Sequence, residues 1–107
     1  MRPDVLWGHL DGMILAVLED EPLHGHAVME ALLSRSDGAL TLSTGTLYPA
    51  LRRLELAGFL VCGRDPAADR RRRTYQLTEV GRRMLADERA EWRMFAALVD
   101  RVLRPAP

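Results

Sequence analysis

The stretch "TEVGRRMLADERAEWRMFAALVDRVL", residues 78–103, constrains this chain more than any other. Trp92, Phe95, Ala96, Val99, Val102 and Leu103 recur at i, i+3, i+4, i+7, i+10 and i+11, the spacing of one helix face. Met94 and Leu98 add a second stripe, Thr78 supplies an N-cap and Pro105 a stop. The pattern predicts one long helix. A chain of 107 residues makes one small domain with a thin core. That core cannot cover so long an apolar face, so the expected cover is a second copy of the chain. The expected dimer interface is Trp92, Phe95, Ala96, Val99, Val102 and Leu103, joined by Leu6 and Met13 of the partner's first helix.

Three shorter helical stretches come first. "DVLWGHLDGMILAVLEDEP" (4–22) places Trp7, Leu10, Ile14, Val17 and Leu18 at helical spacing. Leu6 and Met13 widen its apolar face, Asp4 can cap it and Pro22 follows its end. "GHAVMEALLSRSDG" (25–38) turns Val28, Ala31, Leu32 and Leu33 inward and stops at Ser36-Asp37-Gly38. "LSTGTLYPALRRLELAGFL" (42–60) has Leu47, Leu51 and Leu54 inward and Gly58 as its C-terminal stop. Its cap is either Ser43 or Thr46. With Thr46, Pro49 lies in the first turn; with Ser43, Pro49 removes a backbone bond and bends the helix. Its outward face carries Thr44, Tyr48, Arg52 and Arg53, with the Tyr48 hydroxyl exposed and able to bond phosphate.

"FLVCGR" and "RTYQLT" are short β-rich runs around a charged, turn-forming stretch with Asp65-Pro66, which predicts a hairpin with a long loop. Helix, helix, helix, hairpin, long helix is the order of a mostly α winged helix-turn-helix with a C-terminal dimerisation helix. The division expected is residues 1–78 for DNA binding and 79–107 for dimerisation. The third helix is slim enough for a major groove, with the hairpin beside the backbone.

Charge supports that placement. The formal net charge is zero, but residues 1–42 carry two Arg against seven acids and residues 43–83 carry nine Arg against four. Such polarity points the middle of the chain at a polyanion. Arg70, Arg71, Arg72 and Arg73 form an unbroken run on the hairpin's returning arm. In a strand, alternate residues face opposite ways. Arg73 shares parity with Tyr75 and Leu77, so it either packs inward or pairs with an acid. Asp65 and Asp69 are available to hold the loop.

Other classes find little support. The single cysteine, Cys62, excludes an intrachain disulfide and reads as a buried strand residue. His24 and His26 point apart on a helix and lack a third ligand, so no metal and no cofactor is expected. No nucleophile stands beside a base and no glycine loop cradles a phosphate, so no enzyme activity is expected. No run approaches a membrane span or a signal peptide, and the cytoplasm is the expected compartment. All fifteen basic residues are Arg, consistent with GC-rich coding.

Four stretches resemble the PadR-like transcriptional regulators: "HGHAV" (24–28), "GTLYPALRRLELAGFL" (45–60), "RRRRTYQLTEVGRRML" (70–85) and "ERAEWRMF" (88–95). The "GTLYPAL" and "YQLTEVG" pair, in this order, is the specific part. The resemblance runs from about Leu6 to Leu103. It implies a homodimeric bacterial repressor of the short-chain branch, with one C-terminal dimerisation helix. It implies that Thr44, Gly45, Thr46, Tyr48, Pro49 and Arg52 belong to the recognition helix and Arg70 to Arg73 to the wing. It also gives Trp92 a second role beside dimer core, that of stacking on a flat aromatic effector between subunits. Where relatives often carry an aromatic pair around the glycine of "HGHAV", this chain has His24 and His26. The expected function is sequence-specific binding of double-stranded DNA at an inverted-repeat operator, released by a small molecule or stress signal. The rival reading is a winged-helix module that docks another protein and binds no DNA.

Overall fold

The computed structural model describes residues 8–63 and 73–107. In chain order these form α1 (Leu10–Val17), β1 (Leu23–His24), α2 (Gly25–Arg35), α3 (Thr44–Leu56), β2 (Leu60–Gly63), β3 (Thr74–Leu77) and α4 (Glu79–Leu103). The fold is a winged helix-turn-helix followed by a long helix. Leu6, Trp7 and the Asp4 cap lie outside the described residues, as do Asp65, Asp69 and Arg70 to Arg72.

Leucines dominate the core. Leu10, Ile14 and Leu15 of α1 meet Val28 of α2 and Leu47 and Leu51 of α3, all fully buried. The inward stripe of α3 is as its spacing predicts. In α2, Val28 and Leu32 are buried but Leu33 is 41% exposed. One helix face is only about 100° wide, and Leu33 lies past its edge.

The helix ends follow from local chemistry. α1 stops at Val17, short of Pro22, with Leu18 and Glu19 donating backwards to Leu15 O and Ala16 O. Three acids follow there, Glu19 to Glu21, where the negative end of the helix dipole disfavours them. α2 and α3 both end in Schellman turns. Gly38 N donates to Leu33 O at 2.8 Å and Phe59 N to Leu54 O at 3.0 Å. The α3 turn uses Gly58 at φ 85°, a backbone conformation that glycine adopts without strain. Thr78 caps α4 as expected, accepting from Gly81 N at 3.0 Å while its hydroxyl donates to Gly58 O at 2.6 Å.

The sheet has one strand more than the expected hairpin. β3 is central, with β2 and β1 antiparallel on either side. Leu23 pairs with Tyr75 and His24 with Thr74, while Leu60 pairs with Leu77 and Gly63 with Thr74. A two-residue strand has no periodicity to read. His24 also ends β1 as the N-cap of α2, its Nδ1 accepting from Ala27 N at 3.2 Å. Its position in the cap, not the helix, corrects the helical i, i+2 reading of the histidine pair.

α1 lies across the first half of α4. Glu19 and Arg89 form two hydrogen bonds of 2.8 and 2.9 Å, and Arg82 donates to Glu19 O at 3.1 Å. The Arg89 bond holds the Glu19 carboxyl below the usual carboxylate range, and Glu19 holds Arg89 above its own. Gly81 of α4 is buried against the turn after α3, where a Cβ would stand 2.1 Å from Phe59 O.

Candidate nucleic-acid interface

Helix α3 is the second helix of the helix-turn-helix. Ser43 is the N-cap, which decides between the two candidates, though its hydroxyl makes no cap bond and instead donates to Thr46 Oγ1 at 3.3 Å. Pro49 therefore sits inside the helix and the bond to Gly45 O is missing. The lost bond lies on the outer side, where water or a ligand can reach the carbonyl.

Thr44, Gly45, Pro49, Arg52 and Arg53 are exposed, and Thr46 is half-buried. With 3.6 residues per turn, Gly45, Pro49 and Arg52 share the face opposite the leucine stripe. Thr46 and Arg53 fall on one flank, Tyr48 and Glu55 on the other. The first acid of the helix is Glu55, so its N-terminal turns present hydroxyls and backbone without negative charge, and Arg52 and Arg53 follow toward its C-terminal end. Such a surface suits phosphate and base edges.

Two of the expected contact residues have partners on other helices. Tyr48 is half-buried and packs on the core, its ring against Gly25 at the start of α2. A Cβ at position 25 would lie 2.7 Å from the Tyr48 hydroxyl oxygen, so the glycine makes room for the ring. The expected free exposure of Tyr48 is corrected on this point. Its position one residue past Leu47 puts it at the edge of the buried stripe, not opposite it. Arg53 gives its guanidinium to Asp11 of α1, Nη2 lying 2.5 Å from Oδ1. The pairing of Asp11 with Arg53 spans 42 residues and leaves no local signal in the sequence.

The wing is described at its base. Gly63 and Thr74 face each other there, and Arg73 is exposed, against the alternative in which it packs inward. Burial pushes the pKa of Tyr75, half-buried at the sheet's centre, above its ordinary value. Arg70, Arg71 and Arg72 fall outside the described residues.

The other expected surface lies on α4. Trp92 is 51% exposed, Phe95 53%, and Val102 and Leu103 about three-quarters, while Ala96 and Val99 are half-buried. Met13 is half-buried and packs on its own chain's core. His9 meets Trp92 edge to face with ring centroids 5.0 Å apart, and Phe95 lies 6.3 Å from Trp92. These rings, with Gly8, Glu88 and Glu91, line an open groove. Nothing local in the sequence ties His9 to residue 92.

Among the described residues no group of three or more His, Cys, Asp or Glu is placed to hold a metal ion, and no helix is long and apolar enough to cross a membrane.

A winged helix-turn-helix with an exposed, arginine-bearing second helix and an appended helix defines a class of transcriptional regulators. Within that class, the family model described as the transcriptional regulator PadR-like family matches residues 14–87. The chain belongs to the PadR-like family of transcriptional regulators. It is 38% identical over 76 residues to the transcriptional regulator Rv3488 of Mycobacterium tuberculosis, spanning 71% of this chain and 68% of that protein. A solved PadR family transcriptional regulator from Eggerthella lenta has a TM-score of 0.80 at 29% identity, over 96% of this chain and 88% of that one. A transcriptional regulator from Clostridium thermocellum reaches a TM-score of 0.87 at 23% identity, over 97% and 99%, and shares the fold.

Proposed function

We propose that this PadR-like regulator is a homodimeric, sequence-specific DNA-binding repressor acting in the cytoplasm. The observation that carries the reading is the outer face of α3: Gly45, Pro49 and Arg52 exposed together, with Thr44 exposed at the start of the helix and no acid before Glu55. Thr46 and the edge of Tyr48 flank that face. Arg70, Arg71 and Arg72 would add phosphate contacts from the wing, beside the groove that α3 enters.

In this reading residues 1–78 bind DNA and the helix of residues 79–107 dimerises, its first two turns also closing the core through Gly81 and Leu85. Support for the dimer comes from the apolar face of α4, open from Trp92 to Leu103. Ala96 and Val99 would lie at its centre, with Leu6 and Met13 of the partner's first helix packed alongside. A two-fold dimer places two copies of α3 in successive major grooves, about 34–36 Å apart. A flat aromatic effector stacking on Trp92 in the groove would be the releasing signal.

The test is selection from random duplexes. The expected result is an enriched inverted repeat whose half-sites lie about one helical turn apart. No enriched motif, with binding unaffected by salt, would favour a protein-docking module instead.

A further inference from the structure

We infer that Arg53 is a positioning residue for the recognition helix and not a DNA contact, and that Asp11 is the carboxylate through which it acts. The inference rests on the DNA-binding reading of α3 and assigns the two neighbouring arginines opposite jobs.

Geometry separates them. Arg52 projects from the face opposite the leucine stripe. Arg53 lies on the flank, where Asp11 Oδ1 receives its Nη2. Among the described residues, no other ion pair ties α3 to another element. Asp11 is itself held in the frame of α4. Two residues before it, His9 packs on Trp92. One residue after it, Gly12 faces Glu88, a Cβ there meeting the Glu88 side chain at 3.5 Å. At the far end of α1, Glu19 is clamped by Arg89 and Arg82. Asp11 therefore reports the position of α4 to α3.

Charge leads to the same division. A guanidinium already neutralised by a carboxylate gains little from phosphate. Moving to DNA would break its pair and leave Asp11 facing the backbone charge. A half-exposed ion pair contributes little to folding. It is enough to bias the angle of a helix that must match a groove on both halves of a dimer. Loss of the pair then weakens operator binding without removing a phosphate contact.

The experiment is a salt titration of operator binding by the full-length protein and five variants: Arg52→Gln, Arg53→Gln, Asp11→Asn, Arg53→Asp and the exchange Asp11→Arg with Arg53→Asp. Arg52→Gln should flatten the salt slope by about one unit, the signature of one lost phosphate contact. Arg53→Gln and Asp11→Asn should each weaken binding roughly threefold to tenfold at unchanged slope. The exchange should recover most of what Arg53→Asp loses. A flatter slope for Arg53→Gln, tighter binding by Asp11→Asn, or an exchange variant no better than Arg53→Asp would overturn the inference. Unchanged affinity in both single variants would do the same. If the exchange variant does not fold, Asp11→Asn decides alone, because a released Arg53 that reached phosphate would tighten binding. Wild-type protein that binds no duplex would overturn the proposed function and this inference with it.

Discussion

The two halves of α4 share one helix and one apolar period but have opposite surroundings. In the first half Gly81 and Leu85 are buried, and Arg89 is locked to Glu19. In the second half Phe95, Val102 and Leu103 stand open. Periodicity is the same in both, so periodicity alone does not say what covers a face. The first half belongs to the fold of one chain, because α1 and the turn after α3 lie on it. The second half runs past them, and its apolar face is the one proposed to meet a second copy of the chain.

Substitutions should separate the halves cleanly. The largest effect belongs to Gly81→Ala. The added methyl would need to occupy space 2.1 Å from Phe59 O, a backbone atom with nowhere to move. Overpacking of this kind costs about 1–3 kcal/mol and more where backbone must shift. Urea unfolding should show that loss, with or without DNA. A midpoint equal to wild type would mean that the close approach of α4 to Phe59 is wrong.

Val99→Asp should act on the second half alone. It places a charge in the proposed interface but touches nothing in the described core. The chain should stay folded by circular dichroism, sediment as a monomer and lose operator binding by more than tenfold, since half the contacts go with the partner. Trp92→Ala should shift sedimentation the same way, less far. A Val99→Asp variant that remained dimeric would move the interface elsewhere.

The wing can be compared with both halves. Replacing Arg71 and Arg72 by Ala should leave folding and dimerisation alone. It should weaken operator and random duplex alike and flatten the salt slope by about one unit per lost phosphate contact. An unchanged slope would take the wing off the DNA.

The smallest effect is a pH dependence within the first half. The folded carboxyl of Glu19 titrates below its ordinary value of 4.5 because Arg89 bonds its charged form. Its contribution to stability is present above that ordinary value and is lost as pH falls through the lower folded value. Melting temperature should therefore drop below about pH 4.5, and the drop should be shallower in Glu19→Gln. Parallel curves for the two proteins would remove Glu19–Arg89 from the account of how α1 is fixed.

What was legible in the sequence followed the range of each interaction. The leucine stripe of α3, the Gly58 stop and the Thr78 cap depend on neighbours within a turn or two, and they stand where their spacing puts them. The family motifs "GTLYPAL" and "YQLTEVG" carry the fold as a whole. β1 was missed because two residues have no pattern and its hydrogen bonds come from a strand some fifty residues later in the chain. Tyr48 was placed too far outward because the Gly25 that receives its ring lies on another helix. The Asp11–Arg53 pair was invisible for the same reason. It changes the reading of the site most, since two adjacent arginines that look alike in sequence have different surroundings in the fold.

Sedimentation velocity of the wild-type protein at micromolar concentration tests the central claim most directly. A second half of α4 that needs a partner predicts one boundary at twice the monomer mass. It also predicts that the Trp92 fluorescence shifts to the red on dilution to monomer, as the ring is returned to water. A single monomeric boundary at that concentration would contradict the claim, and with it the two-fold operator.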